Sequence, residues 1–374
     1  MKASFNTDVL IVGGGPAGAS AALSLLSYTK FSVTIVEQSS FDGIRVGEHV
    51  DSSLFEMLDY LKISKGSLEE GTFIKGYSKA AAWGTDRLVS RDSLYSPANE
   101  SYQLDREKFD LKLLREVSKR GGTIIPRTRC TRYQQTDTNE WQLHAKHFTK
   151  GAFGIKSRFL IDATGRQATV CRQLGIASAK KDTLVGVGAF LLFRKDQIIP
   201  QEIILEASEK GWWHCATLPG QVLSVTFFSD ADIISTDRLQ VADNWQASLL
   251  STKYIKYKVG EARATGKPWI KNAFSQITDT SQRKNFMAVG DAASSFDPIS
   301  SMGIGFAMNS GCNAARAINF SLNGDESLVE AYPKKVEENF KNYLNLRNHF
   351  YAKETRWNKL PFWERRAFNY LDPY

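Results

Sequence analysis

Cysteine is scarce in this chain. The four that occur, Cys130, Cys171, Cys215 and Cys312, are widely separated and form no CxxC pair. That spacing argues against a zinc site or a disulfide framework, so they read as inert thiols. Long apolar runs are missing too: nothing approaches a membrane span, and the apolar part of MKASFNTDVLIVGGG is too short for a signal h-region. Neither low-complexity tracts nor repeats of solenoid period occur. These absences predict a cytoplasmic protein that makes no membrane contact.

What is present is ordinary for a folded protein. Hydrophobic residues make up 42% and charged residues 24% of 374 positions. At about 150 residues per domain the length predicts two or three units. The net charge is +8, and residues 331–374 supply nine Lys/Arg against five Asp/Glu. A basic surface suits nucleic acid, simple solubility or an acidic protein partner, and charge alone does not choose; no nucleic-acid motif accompanies it.

The N-terminus carries the clearest motif. Asp8-Val9-Leu10-Ile11-Val12 reads as a buried parallel strand, followed at once by Gly13-Gly14-Gly15-Pro16-Ala17-Gly18. An Ala- and Leu-rich helix and a second β-rich run ending in Glu37-Gln38 complete a βαβ unit with GxGxxG at its first turn. Gly13 allows the tight turn, Gly15 lets backbone approach a pyrophosphate, and Gly18 permits close helix packing. Glu37 stands 19 residues past Gly18, where a carboxylate accepts bonds from ribose hydroxyls. A glycine turn that binds nothing is the bland alternative, and Glu37 alone does not separate FAD from NAD.

Later segments bear on that choice. Phe286-Met287-Ala288-Val289 reads as another buried strand, running into Gly290-Asp291 and then Pro298 to Gly303, where a helix opens. Glycine lets a sugar-like chain come close and the carboxylate accepts its hydroxyls. A helix N-terminus at Gly303 favours negative charge. Phe159-Leu160-Ile161-Asp162-Ala163-Thr164-Gly165 is a further strand ending in a glycine turn.

Taken in order, GGGPAG, Glu37, Arg45-Val46-Gly47-Glu48, Leu104-Asp105-Arg106, Asp162 to Gly165 and Gly290-Asp291 resemble the FAD-dependent monooxygenases of the p-hydroxybenzoate hydroxylase and flavin-dependent halogenase superfamily. The resemblance implies an α/β two-domain fold: a Rossmann-like FAD domain from 1–70, 101–181 and 281–330, a β-sheet substrate domain from 71–100 and 182–280, and a helical, aromatic segment at 331–374. It also implies that Gly13, Gly15, Pro16, Ala17, Gly18, Glu37 and Gln38 hold the ADP half of FAD. Arg45, Gly47, Arg106, Asp162 and Gly165 would lie along the cofactor, Gly290 and Asp291 at the ribityl chain, and Pro298 and Gly303 at the flavin ring. No metal is implied. A second GxGxxG is missing, so NAD(P)H visits the same flavin or a separate reductase supplies electrons, with O2 as co-substrate.

One branch resembles the chain more closely still: maturation flavoproteins acting on precursors of tryptophylquinone amino-acid oxidases of the lysine- and glycine-oxidase kind. The likeness lies in IRVGEHV, GWWHCATLPG with FFSDAD, GDAASSFDPISSMGIG and YAKETRWNKLPFWERR. It implies hydroxylation of a tryptophan side chain in a precursor protein. Halogenases of small aromatics are the rival enzyme reading. Their WxWxIP is missing at Trp212 to Ala216, and Ser295 stands where FxxPxxSxG has Phe, but Lys75 lies eight residues before Trp83, like their halogenating lysine. A non-catalytic assembly chaperone carrying FAD is the rival of another class.

GWWHCATLPG, residues 211–220, poses a sharper question. A hairpin turning at Leu218-Pro219-Gly220-Gln221 sends Trp212 and His214 to one face and Trp213 to the other. Trp212 and His214 thus become candidates to wall the flavin, with His214 able to exchange a proton near neutral pH. In the tail, Phe340, Tyr343, Arg347, Phe350, Glu354 and Trp357 fall at helical spacing. That pattern suits a helix packed on the FAD domain, while Arg356, Trp357, Trp363, Arg365 and Arg366 suit a docking surface.

Overall fold

A computed structural model describes residues 4–43, 45–92, 100–193 and 199–368; Ile44 of IRVGEHV and the last six residues of the tail lie outside them. The strand Ser4–Val12 runs parallel to Val33–Val36 on one side and Gly151–Asp162 on the other, and the helix Pro16–Tyr28 crosses between the first two. The strand order 123–125, 33–36, 4–12, 151–162, 141–147, 128–135 makes a sheet whose third glycine turn comes from Phe286–Ala288, parallel to the end of Gly151–Asp162. Near-continuous burial of Val9 to Val12, Val33 to Val36 and Phe159 to Asp162 is what a parallel sheet covered on both faces demands. The turns after residues 12, 162 and 288 therefore emerge together at the carboxyl edge, where open α/β sheets bind ligands.

A second sheet of eight strands covers that edge. Its path runs 263–264, 184–192, 222–230, 211–218, 202–208, 78–82, 89–92, with Trp269–Asn272 also on Leu184–Leu192. The hairpin of Gly211–Leu218 and Val222–Asp230 forms, turning through Gly220 and Gln221 at positive φ. The sheet is not wholly antiparallel, since Ser78–Ala82 pairs parallel to Glu202–Ser208. Nor does Phe73–Gly76 join it; that strand pairs with Ser101–Leu104 in a separate three-stranded sheet.

The tail is built into the core. The helix Ser327–Ala352 buries Phe340, Tyr343, Arg347 and Tyr351, and the helix Pro361–Phe368 inserts Phe362 and Trp363 beside Trp212 and Phe228. Arg365 and Arg366 both pair with Asp230, and Arg356 pairs with Glu354 and Asp86. The side chains expected to form a docking surface thus find their partners inside the chain. Among the described residues no helix is long and apolar enough to cross a membrane, and no cluster of His, Cys, Asp and Glu is placed to hold a metal.

Candidate active site

A cavity of about 360 Å³ lies where the glycine turns meet the second sheet. On the turn side it is lined by Gly15, Pro16, Ala17, Gly165, Asp291 and Gly303. Two helices, Pro16–Tyr28 and Gly303–Leu322, begin at its wall, and neither has a side-chain cap. Their free N–H groups and dipoles make this wall attractive to anionic groups. A Cβ on Gly15, Gly165 or Gly303 would meet nothing within 4 Å, so these glycines leave vacant the space a closely seated ligand fills. Donors, dipoles and cradle fit the pyrophosphate, ribityl chain and ring of FAD.

Other expected cofactor residues shape or brace this wall. Gly13, at φ +113°, would put a Cβ 2.2 Å from the Ala163 carbonyl, and a Cβ on Gly18 would stand 2.1 Å from the Gly13 carbonyl. Both serve close packing of turn, strand and helix. Glu37 accepts from the Gly14 and Ser39 N–H groups at 2.8 Å each, which fixes the turn. Arg106 lines the cavity, donates to the Val46 and Gly47 carbonyls and forks onto Asp110, which also pairs with Arg45. This pair of arginines holds the loop that carries Gly47. Gln38 is exposed.

Several expectations need correction. Asp162 does not face the cavity: fully buried, it accepts from Thr164 N and Oγ1 and from Cys171 N, so its charge braces the turn that ends in Gly165. Gly290 takes φ +57° and packs on Ala17 rather than lining the space. Lys75 is outside the cavity, its ammonium paired with Glu100 at 2.5 Å in the three-stranded sheet, both side chains about a third exposed. Trp212 is buried behind the wall, stacked on Phe228 with centroids 4.3 Å apart and donating to Tyr351. Its face was as expected, but the tail covers it. Trp213 packs with Phe227 and Trp245 on the far side, so both tryptophans of GWWHCATLPG are core. His214 alone of the two candidates there lines the cavity.

The wall above the turns is a grid set by strand register. Across it His214 stands opposite Thr226, Thr226 opposite Gly188, and Gly188 opposite Trp269. One step along, Trp212 faces Phe228, Phe228 faces Gly186, and Gly186 faces Lys271. A Cβ on Gly188 would lie 2.5 Å from the Trp269 ring, and one on Gly186 2.8 Å from the Phe228 ring. The glycines thus let two aromatic rings lie across the middle strand. Trp269 Nε1 is buried without a partner.

The titratable groups of the wall differ sharply. Burial pushes Glu48 up to about 7 despite the nearby Arg106 guanidinium, and burial pushes His214 down to about 4. At neutral pH His214 is an uncharged imidazole, suited to orienting a ligand rather than donating a proton. His49, pushed down to about 3 by burial and the Lys79 charge, meets Gln103 at 2.8 Å through Nδ1 and Lys79 at 3.1 Å through Nε2. The Gln103 Oε1 is buried and unpartnered. Turning that amide lets His49 Nδ1–H donate to Oε1 and frees Nε2 to accept from Lys79, so that the imidazole and the ammonium no longer meet as two donors, while the amide NH2 takes the unpartnered position. Arg166, also at the cavity, bridges Asp291 and the carbonyls of Phe274 and Phe296. His49, Arg166, Trp269 and Lys271 escaped sequence reasoning, although His49 lies within IRVGEHV and Arg166 immediately follows the Asp162 to Gly165 turn.

Two uncapped helix N-termini under an aromatic sheet suit a flavin with its pyrophosphate, and comparison with known proteins identifies the family. Residues 6–344 match the FAD binding domain family, and the chain belongs to that family. It is 38% identical over 366 residues to LodB, named as an FAD-dependent oxidoreductase, of Marinomonas mediterranea, a match covering 97% of this chain and 98% of that one. Among solved structures, the flavin-dependent halogenase CmlS aligns with TM-score 0.84 at 25% identity, over 97% of this chain and 68% of that one. The peptidyl tryptophan dihydroxylase QhpG, essential for tryptophylquinone cofactor biogenesis, shares the fold with TM-score 0.71 at 20% identity, over 97% and 79%. The protein is a flavin-dependent oxidoreductase of the monooxygenase and halogenase superfamily.

Because Lys75 is held by Glu100 away from the cavity, Lys75→Ala should leave turnover within about twofold of wild type, as expected for an exposed ion pair. Steady-state rates at saturating substrate check this.

Proposed function

We propose that the protein hydroxylates a tryptophan side chain of a precursor protein during formation of the cysteine tryptophylquinone of an amino-acid oxidase of the lysine- or glycine-oxidase type. The observation that carries the reading is the grid of His214, Phe228 and Trp269 facing two helix N-termini across one cavity. It is a slot for a planar ring above a planar cofactor. The likeness to LodB along almost the whole of both chains and the fold shared with QhpG support it. FAD held by the turns at Gly15, Gly165 and Gly303, with electrons from NAD(P)H or a separate reductase, would supply oxygen chemistry in which one atom of O2 enters an electron-rich ring and the other leaves as water.

The residues of the chain do the rest. Phe228 and Trp269 exclude water and hold the ring flat. His214, uncharged, orients it. Replacing a ring hydrogen by oxygen releases a proton from that carbon, and the Glu48 carboxylate takes it. Burial holds Glu48 near pH 7, whereas His49 and His214 titrate well below neutrality. The rate should therefore rise as pH passes through about 7. Glu48→Gln should flatten that profile and slow turnover on the order of a hundredfold. A pH-rate profile of both proteins decides this.

Halogenation remains the second reading because of the likeness to CmlS. Mass spectrometry of the precursor, produced with and without this protein and with or without halide, separates the two. Added oxygen on a tryptophan independent of halide is the expected result; added halogen would replace the reading, and an unmodified precursor that still needs this protein to assemble would favour the FAD-bearing chaperone.

A further inference from the structure

We propose that the C-terminal helix Ser327–Ala352 belongs to the flavin site, its Tyr351, Tyr343 and Arg347 acting as positioning residues that set the loop 297–303 against the cavity. This rests on FAD occupying the cavity and not on the identity of the substrate.

Asp297 is the joint. It lines the cavity, is 1% exposed, and accepts from Ile299 N through Oδ1, which caps the short turn Pro298–Ser300. Its other oxygen accepts from the Tyr351 hydroxyl at 2.7 Å, and its own N–H donates to the Tyr343 hydroxyl at 2.8 Å. Tyr343 shares a hydrogen bond with Ser275, and Arg347 donates to Ser275 and to Asp182. Both the carboxylate and the backbone of the loop are therefore gripped from one helix. Pro298, Ser301, Met302 and Gly303 follow directly and line the cavity, so the grip also aims the N-terminus of Gly303–Leu322.

The same phenol reaches the opposite wall. Tyr351 accepts from Trp212 Nε1 at 3.0 Å while donating to Asp297, a one-way chain from indole to phenol to carboxylate. Trp212 sits two residues before His214 on its strand. One hydroxyl thus ties the hairpin that bears His214 to the loop that faces the flavin, and sets the gap between them. Replacing Tyr351 by phenylalanine keeps the ring but leaves a buried carboxylate oxygen and a buried indole N–H without this partner.

A merely structural role would lower stability alone, so the test compares FAD-loaded Tyr351→Phe with Trp363→Phe. The latter removes another tail hydrogen bond, the half-buried one from Trp363 Nε1 to the Ser208 carbonyl, that does not touch the loop. We expect Tyr351→Phe to weaken FAD binding about tenfold and to shift the visible flavin bands, while Trp363→Phe lowers the melting temperature and changes neither. Unchanged affinity and bands in Tyr351→Phe, or equal changes in both variants, would overturn the proposal. If Tyr351→Phe does not fold, Tyr343→Phe is read by the same criteria. None of these readouts involves the precursor, so failure of the tryptophan reading would leave them untouched.

Discussion

Gly15→Asp should give a folded protein that has lost its colour. Gly15 has φ −76° and ψ −176°, open to any residue, and a Cβ there meets nothing within 4 Å. It is also the N-cap of Pro16–Tyr28, where aspartate is among the favoured residues, so the apoprotein should melt no lower than wild type. The new carboxylate would occupy the vacant cradle and take the helix N–H groups that a pyrophosphate needs, repelling it as well. We expect FAD affinity to fall on the order of a hundredfold or more. Flavin absorbance of the purified variant, read beside its thermal melt, checks both halves. Gly13→Ala would not serve, because φ +113° and the 2.2 Å approach to Ala163 would damage the fold itself.

Removing residues 357–374 should prevent stable folding. The deletion takes away Phe362 and Trp363, both almost fully buried, and uncovers Tyr351 and Trp83. It also strips Asp230, 2% exposed, of Arg365 and Arg366, leaving a buried carboxylate without its cations. Breaking a buried pair in this way costs about 3–5 kcal/mol, and each lost aromatic adds about 3 kcal/mol. The sum rivals the whole stability of an ordinary domain, about 5–15 kcal/mol. Soluble yield and a urea melt of the truncated chain measure it. A truncation that folds with wild-type stability would mean that the tail packs only loosely.

What the sequence made legible was local. GGGPAG after an apolar strand, Gly290-Asp291 after another, and the opening of a helix at Gly303 each require only a handful of consecutive residues, and each turn emerges beside the cavity. Alternation along GWWHCATLPG assigned Trp212 and His214 to one face, and the hairpin register bears this out. Periodicity reports a face but not what covers it. Trp212 is core because Tyr351, 139 residues later, lies over it, and Lys75 lies off the cavity, paired with Glu100 from beyond an intervening segment. Asp162 looked like a cofactor ligand because its braces, Thr164 and Cys171, have no chemical signature of their own. His49 and Trp269 enter the site only through register and loop closure, which a single sequence does not display.

Titration of FAD into the flavin-free protein, followed by quenching of flavin fluorescence, tests the central claim most directly. One FAD per chain should bind, with its isoalloxazine absorption altered by the surrounding aromatic wall. A chain that stays folded and colourless at saturating FAD would contradict the site, and with it the oxygen chemistry assigned to it.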